Sequence, residues 1–431
     1  MALRREQRRP LPPRCRPAPV GLRDQPAPSG EWSVVAAQTR PTSDQGETLT
    51  ALDTAVSGSA DRFHQWIASH PDLVVVQPTT LCNLNCSYCY LPFRKRRLEM
   101  SLGVARRIAE SLKDMPPGHT TEVCWHGGEP LAIGPEKLAA LMDPFEDLRR
   151  AGRVRHSLQT NATLITDAWC DLFAGRGVSV GVSIDGPADL NAERRDWSGR
   201  PAFDRIVAGI AKLTEHRIAF SLIAVVGEGI DRAGELLDFL ASLGPTSIGL
   251  NIEELEGVND ARTQPSPERA RAFWTDVFAW SGEHPRVEIR ELDRLGRYLR
   301  TIRTGQRDWW ESHRFDPLPT VSHDGDVVLL SPELAGIRDD RYGDFIAGNV
   351  LERSLGDILD GAHRLRYVTE FIDGLEACKA TCEFFDFCRG AQAGNRYFEN
   401  GRFDTTETNF CRVSKQELVN ALVDITRKDN A

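Results

Sequence analysis

Residues 81–90 read Leu-Cys-Asn-Leu-Asn-Cys-Ser-Tyr-Cys-Tyr, and they place Cys82, Cys86 and Cys89 in the spacing C-x3-C-x2-C. Three thiolates this close together can ligate three irons of a 4Fe-4S cluster and leave the fourth iron without a protein ligand. A structural zinc site needs a fourth ligand, and the nearest downstream histidine, His119, lies beyond the next predicted helix. The stretch therefore predicts an iron–sulfur cluster with one open coordination position.

Short runs rich in β-branched residues alternate with amphipathic segments on the C-terminal side of residue 72. This alternation is typical of βα units around a parallel sheet. Six units are too few to close an eight-stranded barrel, so we expect an α/β fold with an open, partial (β/α)6 TIM barrel. The predicted strands are Leu73–Thr79, Glu122–His126, Arg155–Asn161, Ser179–Asp185, Ala219–Val226 and Ser247–Glu253. The predicted helices lie near residues 101–114, 135–150, 166–174, 203–216, 232–243, 267–281 and 287–303.

Side chains along these strands should alternate between the two faces of the sheet. The apolar face, which we expect to contact the helices, carries Val74, Val76, Val123, Trp125, Val180, Val182, Ile184, Ile248, Leu250 and Ile252. The interior face carries Gln77, Thr79, Cys124, His126, Gln159, Asn161, Ser183, Asp185, Asn251 and Glu253. These polar residues gather at the C-terminal strand ends, where barrel enzymes place their chemistry.

Four more cysteines form a second group near the C-terminus. Cys378, Cys382, Cys388 and Cys411 have the spacing C-x3-C-x5-C-x22-C. Four thiolates fit a fully ligated 4Fe-4S cluster, which carries electrons and leaves no iron open for a substrate. A four-cysteine zinc site is the alternative, although zinc ribbons favour paired C-x2-C knuckles, which this group lacks.

The sequence predicts three regions along the chain. Residues 1–60 are rich in Arg and Pro and lack hydrophobic periodicity, which indicates a disordered tail. Residues 70–304 hold the predicted barrel, and residues 305–431 hold a second domain with the second cysteine group. In that domain, Thr320–Leu330 predicts a hairpin that turns at Asp324-Gly325.

Composition and charge limit the partners and the compartment. The 431 residues carry a net charge of −9, which provides no broad positive surface for nucleic acid. No apolar run approaches the roughly 18 residues of a membrane span, so we expect no membrane partner. Ten cysteines are too few for a disulfide scaffold, and seven of them lie in the two groups, which predicts a reducing cytoplasm.

The first cysteine motif resembles that of the radical S-adenosylmethionine (radical SAM) enzymes, and the resemblance extends over residues 82–227. In that family the open iron chelates the amino and carboxylate groups of S-adenosylmethionine, and reductive cleavage yields a 5′-deoxyadenosyl radical. The resemblance therefore implies S-adenosylmethionine as a cofactor. It also implies an external one-electron reductant of the flavodoxin or ferredoxin type.

Further segments at the strand ends are similar to the cofactor-binding positions of that family. His126-Gly-Gly-Glu-Pro130 resembles the segment that holds the methionine ammonium. Gln159–Asn161 and Ser183–Pro187 resemble segments that contact the ribose and the methionine carboxylate, for which a nearby Arg would be the cation. Val225–Gly227 corresponds to the segment that packs against the adenine. The implied cofactor-binding residues are Gly127, Gly128, Glu129, Asn161, Ser183, Arg194 or Arg195, Val225 and Gly227.

The second cysteine group lies in a region that resembles the SPASM domain of radical enzymes that modify ribosomally made peptides. The resemblance rests on Phe384–Gly390, Asn395–Gly401 and Glu407–Cys411. The fuller SPASM pattern has a Cys on the hairpin strand after the turn glycine, whereas Val327–Ser331 has none, so we expect one auxiliary cluster. This reduced set looks most like the cyclophane-forming maturases, which join an aromatic ring to the β-carbon of a nearby residue.

The resemblance implies a radical SAM peptide cyclase that acts on a ribosomally synthesised precursor peptide. A core residue would lose a β-hydrogen, and the resulting carbon radical would add to an aromatic side chain. Rearomatisation then removes one electron and one proton. The auxiliary cluster could accept the electron, and Glu253, or failing it Asp185, could accept the proton. A salt bridge to an Arg at the rim is an equally open role for Glu253.

Three other functions remain open from the sequence. Formylglycine formation, as in anaerobic sulfatase maturases, and thioether formation use related radical chemistry. A sensor or scaffold that binds the cofactor without turnover is a third, although the polar strand ends argue against it. No separate peptide-recognition domain is predicted, so the precursor could dock on the barrel rim or on an exposed hairpin edge.

Overall fold

Seven parallel strands form the centre of the computed structural model, which describes residues 60–259 and 262–429. The predicted tail lies outside the described residues except for Ala60. The strands are β1 (Leu73–Val76), β2 (Thr121–Trp125), β3 (Val154–Thr160), β4 (Ser179–Ser183), β5 (Phe220–Val226), β6 (Ser247–Ile252) and β7 (Glu288–Ile289). They lie side by side in chain order, and each is parallel to its neighbours. The open, partial barrel is confirmed, and the two-residue β7 adds a seventh strand to it.

Helices connect the strands and cover one face of the sheet. They are α1 (Leu102–Leu112), α2 (Pro135–Met142), α3 (Glu146–Arg150), α4 (Asp167–Arg176), α5 (Phe203–Glu215), α6 (Ala233–Ser242), α7 (Pro267–Glu283), α8 (Arg290–Arg303) and α9 (Arg307–Glu311). Helix α1 begins after Ser101, whose Oγ accepts a hydrogen bond from the Val104 amide at 3.3 Å. Its Val104, Ile108 and Leu112 recur at a spacing of four residues and are buried against the sheet.

Several element boundaries differ from the prediction by one or more residues, and two of them have an identifiable reason. Strand β1 ends at Val76 and not at Thr79, because Pro78 has no amide hydrogen to continue the ladder. Helix α8 begins at Arg290 and not near residue 287, because Glu288 and Ile289 pair with Ser247 and Ile248 of β6.

The alternation along the strands agrees with the prediction. All ten residues predicted to face the helices are at most 3% exposed. Among the polar residues of the other face, Thr79, Asn161, Asp185 and Glu253 are buried, and the rest are partly exposed. The polar C-terminal strand ends therefore line the interior of the partial barrel.

The predicted hairpin is confirmed and extends the same sheet. Strand β8 (Thr320–Val321) pairs with the antiparallel β9 (Asp326–Val328). The turn includes Gly325, whose φ of +96° favours glycine. Strand β8 is parallel to β1, and β9 pairs in turn with β10 (Gly348–Asn349). The chain after residue 305 thus continues the central sheet beyond β1.

The C-terminal region is otherwise helical. Its helices are α10 (Leu355–Asp360), α11 (Arg366–Thr381), α12 (Phe385–Cys388), α13 (Ala393–Asn400), α14 (Asn409–Cys411) and α15 (Glu417–Asp429), with a π-helical segment at Arg412–Gln416. Helix α15 packs against α7, and Trp274 of α7 donates its indole N–H to the Val413 carbonyl at 2.8 Å. In the described ranges, no helix is both long and apolar enough to cross a membrane.

Candidate active site

The first cysteine group lies on the loop after β1. The loop is held by hydrogen bonds from the Cys82 amide to the Arg94 carbonyl at 2.9 Å and from Arg94 Nη1 to the Cys86 carbonyl at 3.1 Å. Cys86 is buried, whereas Cys82 and Cys89 are partly exposed. Burial raises the pKa of Cys86 to about 11 and also raises that of Cys82. Thiolates are therefore costly here unless bound metal offsets their charge, which fits a cluster.

The spacing of the side chains bears on the zinc alternative. Among residues 60–259 and 262–429, no three Cys, His, Asp or Glu side chains are close enough together to hold a single metal ion. A cluster places its cysteine ligands on different irons and so tolerates a wider separation than one ion does. The two cysteine groups therefore fit clusters better than mononuclear zinc.

Gly127 and Gly128 let the chain after β2 approach the cysteine loop. Their φ values are +90° and +66°, which favour glycine. A Cβ on Gly128 would lie 2.6 Å from the Thr79 carbonyl oxygen and 2.7 Å from that of Leu81. The Glu129 amide then donates to the Leu81 carbonyl at 2.8 Å. The Gly-Gly-Glu segment is thus packed directly against the start of the cysteine loop.

The Glu129 carboxylate is buried at the centre of the strand ends. It accepts hydrogen bonds from the Asn161 amide at 2.8 Å, from Thr160 Oγ1 at 2.7 Å and from the Leu131 amide at 3.1 Å. Burial nevertheless raises the pKa of Glu129 to about 7. A cationic group next to this carboxylate would offset the cost of its charge, which is the property expected of an ammonium-binding residue.

The end of β3 also contacts the cysteine loop. Asn161 Nδ2 donates to Asn83 Oδ1 at 2.9 Å and lies 3.9 Å from Cys82 Sγ. On the next strand, Ser183 Oγ accepts a hydrogen bond from Gln159 Nε2 at 2.8 Å. Asn161 is therefore next to the first cysteine group, whereas no contact joins Ser183 to it.

Asp185 and Arg194 form a buried ion pair. Arg194 donates from Nε and Nη2 to the two Asp185 oxygens, both at 2.8 Å. Asp185 also accepts from the Tyr88 hydroxyl at 2.5 Å and from the Val225 amide at 2.9 Å. Arg195 is exposed and donates to a surface carbonyl. The structure thus pairs Arg194, and not Arg195, with Asp185, a choice that the sequence left open. Both oxygens of Asp185 accept hydrogen bonds.

Glu253 lies at the mouth of the interior, where it forms an ion pair with Arg262. Arg262 also donates to Ser87 Oγ at 3.0 Å, so the pair joins the chain after β6 to the cysteine loop. Burial raises the pKa of Glu253, and Arg262 opposes this shift. A Cβ on Gly227 would lie 2.3 Å from Glu253 Oε2, so glycine leaves room for this carboxylate. The rim salt bridge that the sequence left open is therefore present.

The four C-terminal cysteines line one cavity. Cys378 lies in the last turn of the long helix α11, Cys388 ends α12, and Cys411 ends α14. Cys382 is partly exposed, and the other three are buried. Helices and short connections thus bring Cys411 to the three cysteines between residues 378 and 388, and the donor set fits a fully ligated cluster.

Arg396 is a buried cation at this cavity, and sequence reasoning did not single it out. It is 2% exposed, and no carboxylate in the described chain lies within ion-pair distance of it. Its guanidinium donates to Cys378 Sγ at 3.4 Å, to the Gly390 carbonyl at 2.8 Å and to the Phe403 carbonyl at 3.1 Å. A buried guanidinium without a carboxylate fits a site whose occupant carries negative charge, as a four-thiolate cluster does.

A group of carboxylates behind the end of β6 was not predicted from the sequence. Glu254 and Glu256 follow directly after Glu253, and they meet Glu333 and Asn395 from the C-terminal region. The run Glu253-Glu-Leu-Glu256 after a strand end was a visible signal. Its partners were not, because they are distant in the sequence.

Comparison with known proteins relates the chain to one family. The sequence pattern of the radical SAM superfamily matches residues 76–240. An uncharacterized protein of Synechocystis sp. is 33% identical over 366 residues, which cover 82% of this chain and 91% of that protein. The serine-type anaerobic sulfatase-maturating enzyme of Bacteroides thetaiotaomicron is 31% identical over 166 residues, or 37% of this chain and 40% of that enzyme.

Solved structures share the fold over most of the chain. The structure of "Native anSMEcpe with bound AdoMet and Cp18Cys peptide" has a TM-score of 0.64 at 20% identity, and the match covers 84% of this chain and all of that one. The structure of Streptococcus suis SuiB bound to precursor peptide SuiA has a TM-score of 0.60 at 18% identity and covers 87% of this chain and 84% of that chain. At these identities the similarity establishes the architecture, including the C-terminal region.

Proposed function

We propose that this chain, whose residues 76–240 match the radical SAM superfamily, is a radical SAM enzyme that crosslinks a ribosomally synthesised precursor peptide. The product would be a cyclophane, in which an aromatic side chain is bonded to the β-carbon of a nearby residue. The observation that supports this proposal is the pairing of two different cysteine sites. One has three cysteines beside polar strand ends, and the other has four cysteines around a single cavity.

The residues at the strand ends are suited to hold the cofactor. Glu129 would hold the methionine ammonium with the backbone of Gly127 and Gly128, and Arg194 would hold the carboxylate. Asn161 and Ser183 would contact the ribose, and Val225–Gly227 would pack against the adenine. Bound beside the first cluster, S-adenosylmethionine would supply the radical that takes a hydrogen atom from the peptide. The remaining steps concern groups of this chain.

Glu253 is the proposed acceptor of the aryl proton. Crosslinking removes two hydrogens from the peptide. One leaves as a hydrogen atom, and the other leaves as a proton and a separate electron. Glu253 lies at the mouth of the interior, and its ion pair with Arg262 can open without disturbing a strand. Asp185 is less suited, because Arg194, Tyr88 and Val225 occupy both its oxygens. Cys378, Cys382, Cys388 and Cys411 would hold the cluster that accepts the electron.

Formylglycine formation is the second candidate, and the similarity to sulfatase-maturating enzymes favours it. Enzymes of that type usually carry two auxiliary clusters. Outside the two groups, the described chain has only Cys124 on β2 and Cys170 on α4, which are on different elements. A second auxiliary cluster would therefore lack ligands among the described cysteines, and this favours crosslinking.

One mass-spectrometric experiment separates the candidates. The precursor would be sought as a short open reading frame beside this one and incubated with reduced enzyme and S-adenosylmethionine. We expect 5′-deoxyadenosine together with a peptide lighter by two hydrogens per crosslink, with every Cys still alkylatable. Loss of an alkylatable Cys would indicate a thioether, and a carbonyl that reacts with hydrazines would indicate formylglycine. Absence of 5′-deoxyadenosine would support a sensor or scaffold.

A further inference from the structure

Asn395 joins Glu254 and Glu256 behind the end of β6, and Glu333 is near enough to raise the pKa of both carboxyl groups. We call Glu254, Glu256, Glu333 and Asn395 the acceptor cluster. Asn395 is fully buried, and its Nδ2 donates to Glu254 Oε2 at 2.6 Å and to Glu256 Oε1 at 3.0 Å. Ser331 donates to Glu333. A Cβ on Gly394 would lie 2.4 Å from Ser331 Oγ and 3.5 Å from Glu256 Oε1, so glycine allows α13 to approach. The cluster is thus built from three separate segments.

The acceptor cluster has more acceptors than donors. Asn395 Oδ1 is buried without a hydrogen-bond partner, although its side chain is directed into the cluster. None of the three carboxylates has a Lys or Arg within ion-pair distance in the described chain, whereas Glu253 and Asp185 nearby are both paired. Glu254 and Glu256 are hydrogen-bonded to each other, which requires a proton on one of them. Buried carboxylates that lack a cation must hold protons in this way or take a cation from a ligand.

The groups around the acceptor cluster increase the cost of ionising its carboxyl groups. Burial raises the pKa of Glu254, Glu256 and Glu333, and repulsion from Glu333 adds to the shift of the first two. The other groups that face them are Tyr90, Glu399 and Lys415. Lys415 is the cation among these. It lowers the pKa of Glu254, while burial and Arg294 lower the pKa of Lys415 itself. Glu254 and Glu333 are only partly buried, so a ligand can reach them.

The cluster lies beside the first cysteine loop. The Val258 amide donates to the Tyr90 carbonyl at 3.0 Å, and a Cβ on Gly257 would lie only 2.1 Å from that oxygen. The segment that carries Glu254 and Glu256 therefore packs against the residue that follows Cys89. The Tyr90 hydroxyl in turn contacts His126 Nε2 at 3.0 Å. A substrate group held by the cluster would lie next to the proposed radical site.

We propose that the acceptor cluster binds the guanidinium of an Arg residue in the substrate peptide. This inference rests on the proposed function, because it assumes a peptide substrate. A guanidinium presents five N–H donors in a plane, which suits acceptors spread over several side chains. The cluster would therefore select peptides with an Arg near the modified residue.

The test measures binding of two isosteric probes to the holoenzyme with S-adenosylmethionine and no reductant. The probes are acetyl-Phe-Ala-Arg-amide and the same peptide with neutral citrulline in place of Arg. By calorimetry at neutral pH, we expect the Arg probe to bind at least about tenfold more tightly, because hydrogen bonds to charged groups are the stronger ones. Binding of Arg should also release protons from the cluster, which comparison of buffers with different ionisation enthalpies would detect. The citrulline probe should release none.

Two variants test whether the preference for the Arg probe depends on the acceptor cluster. Glu254→Gln/Glu256→Gln keeps the shape of both side chains, and we expect it to remove the preference for Arg and the proton release. Glu228→Gln, which neutralises an exposed carboxylate after β5, should keep both the preference for Arg and the proton release. Equal affinity of the two probes for the wild-type enzyme would overturn the proposal, and so would a preference that persists in the double variant. Iron content and thermal melting verify that the double variant folds.

Failure of this inference is distinguishable from failure of the proposed function. If the precursor becomes lighter by two hydrogens but the probes bind equally, only the acceptor-cluster proposal is wrong. If Arg is preferred but the precursor is modified differently, the binding site stands and the crosslinking proposal is wrong.

Discussion

The two cysteine sites differ in how much of their surroundings the protein supplies. The first has three cysteines on one loop, two of them partly exposed beside the polar strand ends. The second has four cysteines from three helices and a connection around one cavity, with the buried Arg396 donating to one of the sulfurs. A site with a missing ligand can bind a small molecule, whereas a fully ligated and charge-compensated site can only exchange electrons. Under the proposed function, the first site would form the radical and the second would transfer electrons.

Removing the ligands of each site tests this division most directly. Two 4Fe-4S clusters predict about eight iron atoms per chain after anaerobic reconstitution. Replacing Cys82, Cys86 and Cys89 with Ala should halve the iron content and abolish cofactor cleavage. Replacing the four C-terminal cysteines with Ala should also halve the iron content but spare some formation of 5′-deoxyadenosine, measured by chromatography. About twelve iron atoms in the wild-type enzyme would refute a single auxiliary cluster.

A substitution at the mouth of the interior separates crosslinking from cofactor cleavage. Glu253→Gln keeps the shape of the side chain but removes the proposed base. We expect 5′-deoxyadenosine to form while crosslinked peptide falls by about 10² to 10⁴-fold, as is usual for a lost general base. Equal loss of both products would assign Glu253 to cofactor binding or to the structural pair with Arg262. Unchanged crosslinking would remove it from the mechanism.

The barrel could be predicted because its signals are local. β-Branched runs and the alternation along each strand identified β1 to β6, and parallel strands necessarily place their C-terminal residues at one edge. Glu253 and Asp185 were therefore expected at the interior. Whether each was free or paired depends on Arg262 and Arg194, whose side-chain directions follow from loop conformation and not from periodicity.

The second site and its connection to the first were less predictable. The cysteine spacing pointed to a cluster, but nothing in the sequence places Arg396 against Cys378 or Asn395 between Glu254 and Glu256. These contacts form between segments separated by up to 141 residues. The pairing of β8 with β1 escaped prediction for the same reason, since only two residues of each strand take part.

Arg396 offers a finer test of the second site. Arg396→Gln removes a buried positive charge and a hydrogen bond to Cys378 Sγ. Both losses favour the oxidised cluster, so we expect the midpoint potential of the auxiliary cluster to fall by about 60 mV or more, the one-electron equivalent of tenfold. A redox titration followed by electron paramagnetic resonance would measure it. Arg402→Gln removes an exposed charge paired with Asp404 and should leave the potential of the auxiliary cluster unchanged. The potential of the first cluster should stay the same in both variants.

If Arg396→Gln lowered the midpoint potentials of the first and the auxiliary cluster equally, the charge of Arg396 would not act specifically on the auxiliary cluster. Arg396→Lys distinguishes charge from geometry, because Lys keeps the charge but cannot make the same planar set of hydrogen bonds. We expect it to recover part of the potential.

The smallest expected effect concerns the acceptor cluster, which lies between the two sites. Burial raises the folded-state pKa values of Glu254 and Glu256 above their unfolded values, so the native state binds more protons in the intervening pH window. Stability should therefore fall as the pH rises from about 4.5 through the neutral range, because ionisation is easier in the unfolded chain. Glu254→Gln/Glu256→Gln removes this cost. We expect the variant to melt a few degrees above the wild type at pH 8, on the order of 1 kcal/mol, and to show a smaller gain at pH 5. Glu228→Gln should show no such dependence on pH, and an equal gain at both pH values would mean that the two carboxylates are ionised at no cost in the native state.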